Sequence, residues 1–295
     1  MTHDPVMDSA QALQQAFNVE VTKSDFAEIA ALMQHEARIH LAETKIALVH
    51  SRLSKRVRER GLTRFSDYVA LVKKDKEELS RMVVALTTNH THFFREAHHF
   101  DHLRQVVMPE LKAHAEEGRP VRIWSAGCSS GEEVYTIAMC LLGQDRGASS
   151  WVRQGDVKLL ATDIAPTMVS ATRRAVYTEA MVQPVPSVYR SLWMQPEGED
   201  YAMTSDAKSL VTANVLNLFA PWPLRRKYDV IFCRNVMIYF DDKAKMELEA
   251  RFVDLLAPGG YLYIGHSERL NGEAARVMQR AGQTVFVKPA GGLAA

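Results

Sequence analysis

Residues 121–143 limit what this chain can become. Val121-Arg122-Ile123-Trp124-Ser125-Ala126 reads as an apolar strand. The strand stops at Gly127, turns through Cys128, Ser129, Ser130 and Gly131, and opens a helix with Glu132 and Glu133 ahead of VYTIAMCLLG. A strand that ends in a glycine turn and re-enters as a helix lets the backbone approach a ligand, in the crevice at the strand's carboxyl end. That is the layout of a nucleotide-type pocket. Two acids at the helix start would repel phosphate and favour a ligand with hydroxyls or positive charge.

The rest of this half keeps the same rhythm. VKLLATD (157–163), YDVIFCRN (228–235), GGYLYIGHS (259–267) and TVFVKP (284–289) are short apolar runs bounded by turns, with helical segments between several of them. They predict an α/β fold with a mostly parallel sheet covered on both faces. Residues 184–212 break the rhythm; with the turn Gln195-Pro196-Glu197-Gly198 they read as a small antiparallel β insertion. Upstream, Phe26, Ile29, Leu32 and Met33 recur at helical spacing behind a Ser24 cap. A second helix over about 42–60 presents Ile46, Val49, Leu53 and Val57 and stops at Gly61. FSDYVALVKK and KEELSRMVVALTT add two more. The expected organisation is a helical domain over 1–85, a linking stretch with one helix over 86–120, and the pocket-bearing domain over 121–295. Residues 1–20 read as a loose lead-in and GGLAA as a frayed tail.

A formal net charge of +1 excludes bulk attraction to nucleic acid or membrane, so any electrostatic partner site must be local. Residues 41–82 are such a place, with 11 Lys/Arg against 6 Asp/Glu. Lys45, Arg52 and Arg56 share a stripe off the apolar face, with Lys55 and Arg58 beside it, as either a solvated face or a docking surface. The face lacks interleaved stacking aromatics, which disfavours nucleic acid. Cys128, Cys140 and Cys233 are too scattered for a disulfide framework and contain no CxxC, which suits a reducing cytoplasm. No leader-like or membrane-spanning run is expected.

Within the pocket, Asp163 ends the second strand. It reads as a carboxylate for a ribose diol or as the cap of IAPTMVSATRRA. The span from Gly127 to Asp163 exceeds the roughly 20 residues of a dinucleotide fingerprint, and no GxGxxG is present, so NAD is disfavoured. Arg234 and Asn235 close an apolar strand, where both need partners if buried, and point to the pocket mouth. Tyr239 is a substrate-facing phenol or a half-buried core aromatic. His90, His92, His98, His99 and His102 invite a metal, but no Cys or carboxylate stands at third-ligand spacing, so hydrogen bonding and packing are expected instead. His266, Ser267 and Glu268 follow a strand without a GxSxG elbow, and a Ser beside a His is not a triad.

LTTNHTHFFREAHHF, WSAGCSSGEE, ATDI, YDVIFCRNVMIYF, LAPGG and GHSE, in that order, resemble the CheR family of chemotaxis receptor methyltransferases. The resemblance covers about residues 25–288. It implies a Rossmann-like class I S-adenosyl-L-methionine domain carrying a small antiparallel β-subdomain, preceded by an all-α domain that docks receptors. It implies a protein-glutamate O-methyltransferase in chemotaxis signalling, with S-adenosyl-L-homocysteine as product and no metal. Asn89, Thr91, Arg95, Glu133, Asp163, Asn217, Leu218, Arg234 and Asn235 would contact the cofactor, and Arg95 and Tyr239 would lie near the transferred methyl. The implied partners are receptor cytoplasmic helices, at Lys45, Arg52, Lys55, Arg56 and Arg58, and a receptor C-terminal peptide at the β-subdomain. A methyltransferase with another acceptor and a non-catalytic cofactor-sensing module remain the alternatives.

Overall fold

The computed structural model of the chain describes residues 20–291, so nearly all of the lead-in and most of the GGLAA tail lie outside the described residues. The chain forms two compact units, Met1–Thr88 and Asn89–Ala295.

The first unit is helical: α1 (Lys23–Ala37), α2 (Ile46–Glu59), α3 (Phe65–Val72) and α4 (Lys76–Leu86). Helix α1 is capped by Thr22, not by Ser24: Thr22 Oγ1 accepts the Asp25 N–H while the Asp25 carboxylate accepts the Thr22 N–H. This reciprocal box satisfies two donors at once, which an uncomplemented Ser24 would not. Phe26, Ile29 and Met33 are buried with Val49, Leu53 and Val57 of α2 and with Phe65, Val69, Met82 and Leu86. The centre of the unit also holds an acid. Glu78 is fully enclosed and takes Arg56 Nε at 2.8 Å, Arg56 Nη2 at 2.8 Å, Arg60 Nε at 2.7 Å and the Tyr68 hydroxyl at 2.8 Å.

The second unit opens with α5 (Ala97–His102), a π turn (Leu103–Val107) and α6 (Met108–Glu116), a continuous helical run where one helix was expected within 86–120. It continues through β1 (Val121–Ala126), α7 (Glu132–Leu142), α8 (Ser150–Gln154), β2 (Val157–Asp163) and α9 (Pro166–Arg174). Next come β3 (Val176–Thr178), α10 (Glu179–Val182), α11 (Ser187–Trp193), β4 (Met194–Glu197), β5 (Asp200–Met203), α12 (Ser205–Leu210) and β6 (Val211–Val215). The unit closes with β7 (Tyr228–Cys233), α13 (Asp242–Leu255), β8 (Leu256–Ile264), α14 (Gly272–Val277), β9 (Gln279–Gly282) and β10 (Val285–Val287).

Seven strands form one sheet in the order β6-β2-β1-β7-β8-β10-β9. The first five are parallel, and β10 runs antiparallel to both β8 and β9. Both faces are covered. Val230, Ile231, Phe232 and Cys233 in β7 are each 0% exposed, although alternate residues point to opposite sides. On one face Trp124 meets Trp222 and Phe252 edge-on, with centroids 4.9 and 5.4 Å away. Chain order reverses where β7 returns beside β1, which opens a crevice at their carboxyl ends.

The antiparallel insertion differs from the expected 184–212. Its sheet is β3-β5-β4, starting at Val176, whereas β6 leaves it and joins β2 in the main sheet. Three residues are too few for β3 to show a period. The membership of β6 depends on pairing with a strand far back in the chain, which local pattern does not carry. The β4–β5 hairpin turns at Gly198, whose φ of 65° is the left-handed geometry a tight turn needs.

Candidate active site

Gly127 ends β1 at φ 78°, and a Cβ there would come within 2.5 Å of Val236 Cγ2, so β1 and the loop after β7 meet only through glycine. The N–H groups of Gly127 and Cys128 both donate to Thr162 O, at 2.8 and 2.9 Å, which ties the turn to β2. Asp163 then holds the loop from below. Its Oδ2 accepts the Ser129 N–H and its Oδ1 the Ala165 N–H, both at 2.9 Å. The Ala165 contact is the helix-start role considered for this acid. It is not exclusive, because each carboxylate oxygen has a second lone pair. Burial raises the Asp163 pKa, and the donated N–H groups of Ala165, Ser129 and Ile164 oppose that shift.

The two acids at the start of α7 divide. Glu132 is 2% exposed and accepts the Ser130 hydroxyl at 2.7 Å, within its own loop. Glu133 accepts Ser125 Oγ at 2.6 Å and lies 3.0 Å from Arg234 Nε. Burial raises the pKa of Glu133, against the Arg234 charge and the Ser125 bond.

Arg234 satisfies its terminal nitrogens, while its Nε faces Glu133 without a hydrogen-bond partner among the described residues. Both terminal nitrogens donate to the Arg95 carbonyl at 2.7 Å, and Nη1 lies 3.1 Å from His99 Nδ1. The guanidinium also sits over the Phe100 ring, 5.3 Å from its centroid. Arg95 itself, half-buried, donates Nη1 to His90 O at 3.0 Å. Its neighbours Phe94 and Glu96 both have positive φ, at 56° and 57°, so the FFRE segment is held in a strained backbone. Asn235 also has positive φ, at 59°. Its Nδ2 reaches Glu96 Oε1 at 3.4 Å, while its Oδ1 is buried with no hydrogen-bond partner among the described residues.

The remaining expected residues are placed as follows. Asn89 is drawn to the glycine loop, its carbonyl accepting Ser129 Oγ at 2.8 Å; Thr91 follows it, half-buried. Asn217 stands just past β6, where the Leu216 N–H donates to Asp163 O at 2.9 Å, and Asn217 Oδ1 accepts the Phe219 N–H. Leu218 is 8% exposed, and its carbonyl accepts Trp222 Nε1 and Arg251 Nη1. Tyr239 is half-buried at the end of a single 3-10 turn, Met237–Tyr239.

In the basic stripe, Arg56 is committed to Glu78, and Arg52 donates to Leu86 O at 2.9 Å and Thr87 O at 2.6 Å. Lys45, Lys55 and Arg58 stay exposed. Two of the three residues that share the stripe are therefore internal scaffolding.

Three residues take up positions at the site that the sequence did not assign to them, although His99 does hydrogen-bond and pack as expected. Glu96 Oε1 accepts His266 Nδ1 at 3.0 Å and the His266 N–H at 3.3 Å, so one carboxylate joins FFRE to GHSE and to Asn235. Burial works against its charge, yet the His266 bonds and the Arg234 charge hold its pKa below the usual carboxylate value. Glu268 accepts the N–H groups of Asn235, Ile238 and Gly265, which fixes the loop leading to Tyr239. His99 is the third. Glu96 also supplies the carboxylate that the spacing argument did not find: one ligand atom each from Glu96, His98 and His99 lies within 4.8 Å of the others. His99 nevertheless engages protein through both nitrogens, and Arg234 beside it opposes a cation.

Strand order, a glycine turn after β1, an acid after β2 and an orphaned amide oxygen after β7 define a class I S-adenosylmethionine-dependent methyltransferase. The orphaned Asn235 Oδ1 and the spare lone pairs of Asp163 fit a cofactor that brings hydroxyl and amine donors. Residues 89–287 match the CheR methyltransferase SAM-binding domain, and residues 24–87 match the CheR methyltransferase all-alpha domain. The chain belongs to the CheR methyltransferase family. It is 44% identical over 261 residues to a probable chemotaxis protein methyltransferase of Rhizobium etli, covering 86% of this chain and 96% of that one. It is 36% identical over 261 residues to the chemotaxis protein methyltransferase of Borreliella burgdorferi, covering 86% and 91%. Against that of Escherichia coli it is 35% identical over 293 residues, covering 96% of both.

Proposed function

We propose that this protein methylates glutamate side chains in the cytoplasmic helices of chemotaxis receptors, and so sets adaptation in the cytoplasm. S-adenosyl-L-methionine supplies an activated methyl on a sulfonium and leaves as S-adenosyl-L-homocysteine. A glutamate with pKa near 4.3 is already ionised at pH 7, so the chain's residues need no general base. Their task is to desolvate the carboxylate and aim one oxygen.

Asp163 takes the ribose diol, Asn217 and Leu218 frame the adenine, and Asn89, Thr91, Glu133 and Asn235 complete the cofactor's surround. Arg95 orients the acceptor carboxylate through its planar fork, and Tyr239 shapes the space around the methyl. Lys45, Lys55 and Arg58 meet the receptor's acidic face, and the β4–β5 hairpin takes a receptor C-terminal peptide. The observation that supports this reading is the clamp of Arg234 on the Arg95 carbonyl, which ties the Arg95 backbone to the strand end that also carries Asn235 and its open oxygen.

The test is incubation with methyl-labelled cofactor and receptor-containing membranes. Base-labile label on receptor is the expected result, and Arg95→Ala should lower it at least about a hundredfold with the cofactor still bound. Stable label on another acceptor, or cofactor binding without transfer, overturns the glutamate assignment.

A further inference from the structure

His99 lies outside every role assigned so far, yet both of its ring nitrogens are engaged beside the site. It is 0% exposed, and its Nε2 stands 3.1 Å from Gln283 O and 2.9 Å from Thr284 Oγ1. A carbonyl oxygen can only accept. The Thr284 hydroxyl gives its own proton to Gln283 O at 2.8 Å, so it too can only accept from His99. Nε2 therefore carries the ring proton, and Nδ1 presents a lone pair. That lone pair faces Arg234 Nη1 at 3.1 Å. Glu96 Oε2, 3.5 Å from the same nitrogen, is buried without a donor among the described residues, as a proton-free Nδ1 requires. Burial and the adjacent Arg234 charge push the His99 pKa down to about 3, so the ring is neutral wherever the enzyme works.

We propose that His99 is a positioning residue for methyl transfer. Its neutral Nδ1 sets the rotation of the Arg234 guanidinium, so that both terminal nitrogens close on the Arg95 carbonyl while Nε faces Glu133. Arg234, with its side chain 2% exposed, then works as the middle of a relay rather than as a group presented to ligand. The far end of the relay is rigid. Thr284 is held at φ 54° between β9 and β10, and the His99 ring packs edge-on against Tyr263 with centroids 5.4 Å apart. The inference rests on the reading of Arg95 as the group that orients the acceptor carboxylate.

Three substitutions separate the two ring nitrogens. In His99→Asn the amide oxygen falls near the Nδ1 position and keeps an acceptor for Arg234. His99→Gln puts its amide near Nε2, keeping the Gln283 bond and losing the Arg234 acceptor. His99→Phe keeps the shape and loses both bonds. We expect kcat for receptor methylation to fall about tenfold or more in the Gln and Phe variants and about threefold or less in the Asn variant. The KM for S-adenosylmethionine should move less than kcat, because Glu133 keeps its Ser125 bond. If His99 acts through Arg95, adding His99→Gln to Arg95→Ala should cost nothing further. Wild-type turnover in His99→Phe, or equal losses in all three variants tracking a lowered Tm, overturns the relay. Normal turnover by Arg95→Ala overturns the reading of Arg95 instead. An impaired Arg95→Ala with an unimpaired His99→Gln overturns this inference alone.

Discussion

Glu78 shows how a single buried acid can decide which positive charges a surface keeps. Arg56, Arg60 and Tyr68 all turn inward to it. Burial alone would raise its pKa, but the bonds from Arg56, Arg60 and Tyr68 outweigh that and hold it below 4.5. The sign follows: a depressed folded pKa gives stability that is complete above 4.5 and is lost as pH falls through the folded value. Glu78→Gln should therefore destabilise the protein by about 2–3 kcal/mol at neutral pH. In urea unfolding followed by circular dichroism, the gap from wild type should shrink as the buffer is taken below pH 4.5. A gap independent of pH would mean that shape, not charge, is what Glu78 supplies. The sequence displayed the cations in and just past α2 but not this sink for Arg56 and Arg60, since Glu78 looks like any exposed acid in KEELSR.

At the scale of elements, strands β1, β2 and β7 were legible because buried parallel strands are continuous apolar runs. Short β3, edge strand β6 and the β9 hairpin arm were not, since their residues alternate weakly or number too few for a period to show. The candidate site follows the same division. Arg234 and Asn235 stood out as polar groups closing an apolar strand. Glu96, Glu268 and His99 did not, because their partners lie more than a hundred residues away or on backbone whose left-handed turns no local pattern reveals. Gly265 exposes how tightly these elements close. A Cβ there would come 2.6 Å from Asn235 Nδ2 and 2.8 Å from Asn235 N. Gly265→Ala should weaken cofactor binding about tenfold or more by calorimetry if Asn235 holds the cofactor as proposed, since the new methyl pushes on that amide. Gly198→Ala has open space around it and should cost only about 1 kcal/mol of left-handed strain, with binding unchanged. Equal binding in both variants would separate Asn235 from the cofactor.

For the molecule as a whole, a net charge of +1 leaves long-range attraction to local features. With Arg52 and Arg56 committed internally, the cations left exposed to steer an acidic receptor helix, in the stripe and beside it, are Lys45, Arg58 and Lys55, the last 3.7 Å from Glu59. Receptor methylation should slow severalfold between about 50 and about 300 mM salt, and replacing these three residues should remove most of that dependence. Arg52→Ala and Arg56→Ala should show instead as lowered Tm. A rate indifferent to salt would return the stripe to an ordinary solvated face. No helix among the described residues is long and apolar enough to cross a membrane.

The three cysteines give the protein an unplanned clock. Cys128 sits in the glycine loop, Cys140 in α7 and Cys233 at the end of β7, all free, all about 1% exposed or less, and all with burial pushing the thiol pKa up. The folded chain thus hides all three thiols, in the glycine loop, in α7 and at the end of β7. Alkylation by an ordinary thiol reagent should therefore count openings of the catalytic unit without any engineered label, and cofactor bound against the glycine loop should slow that count at Cys128.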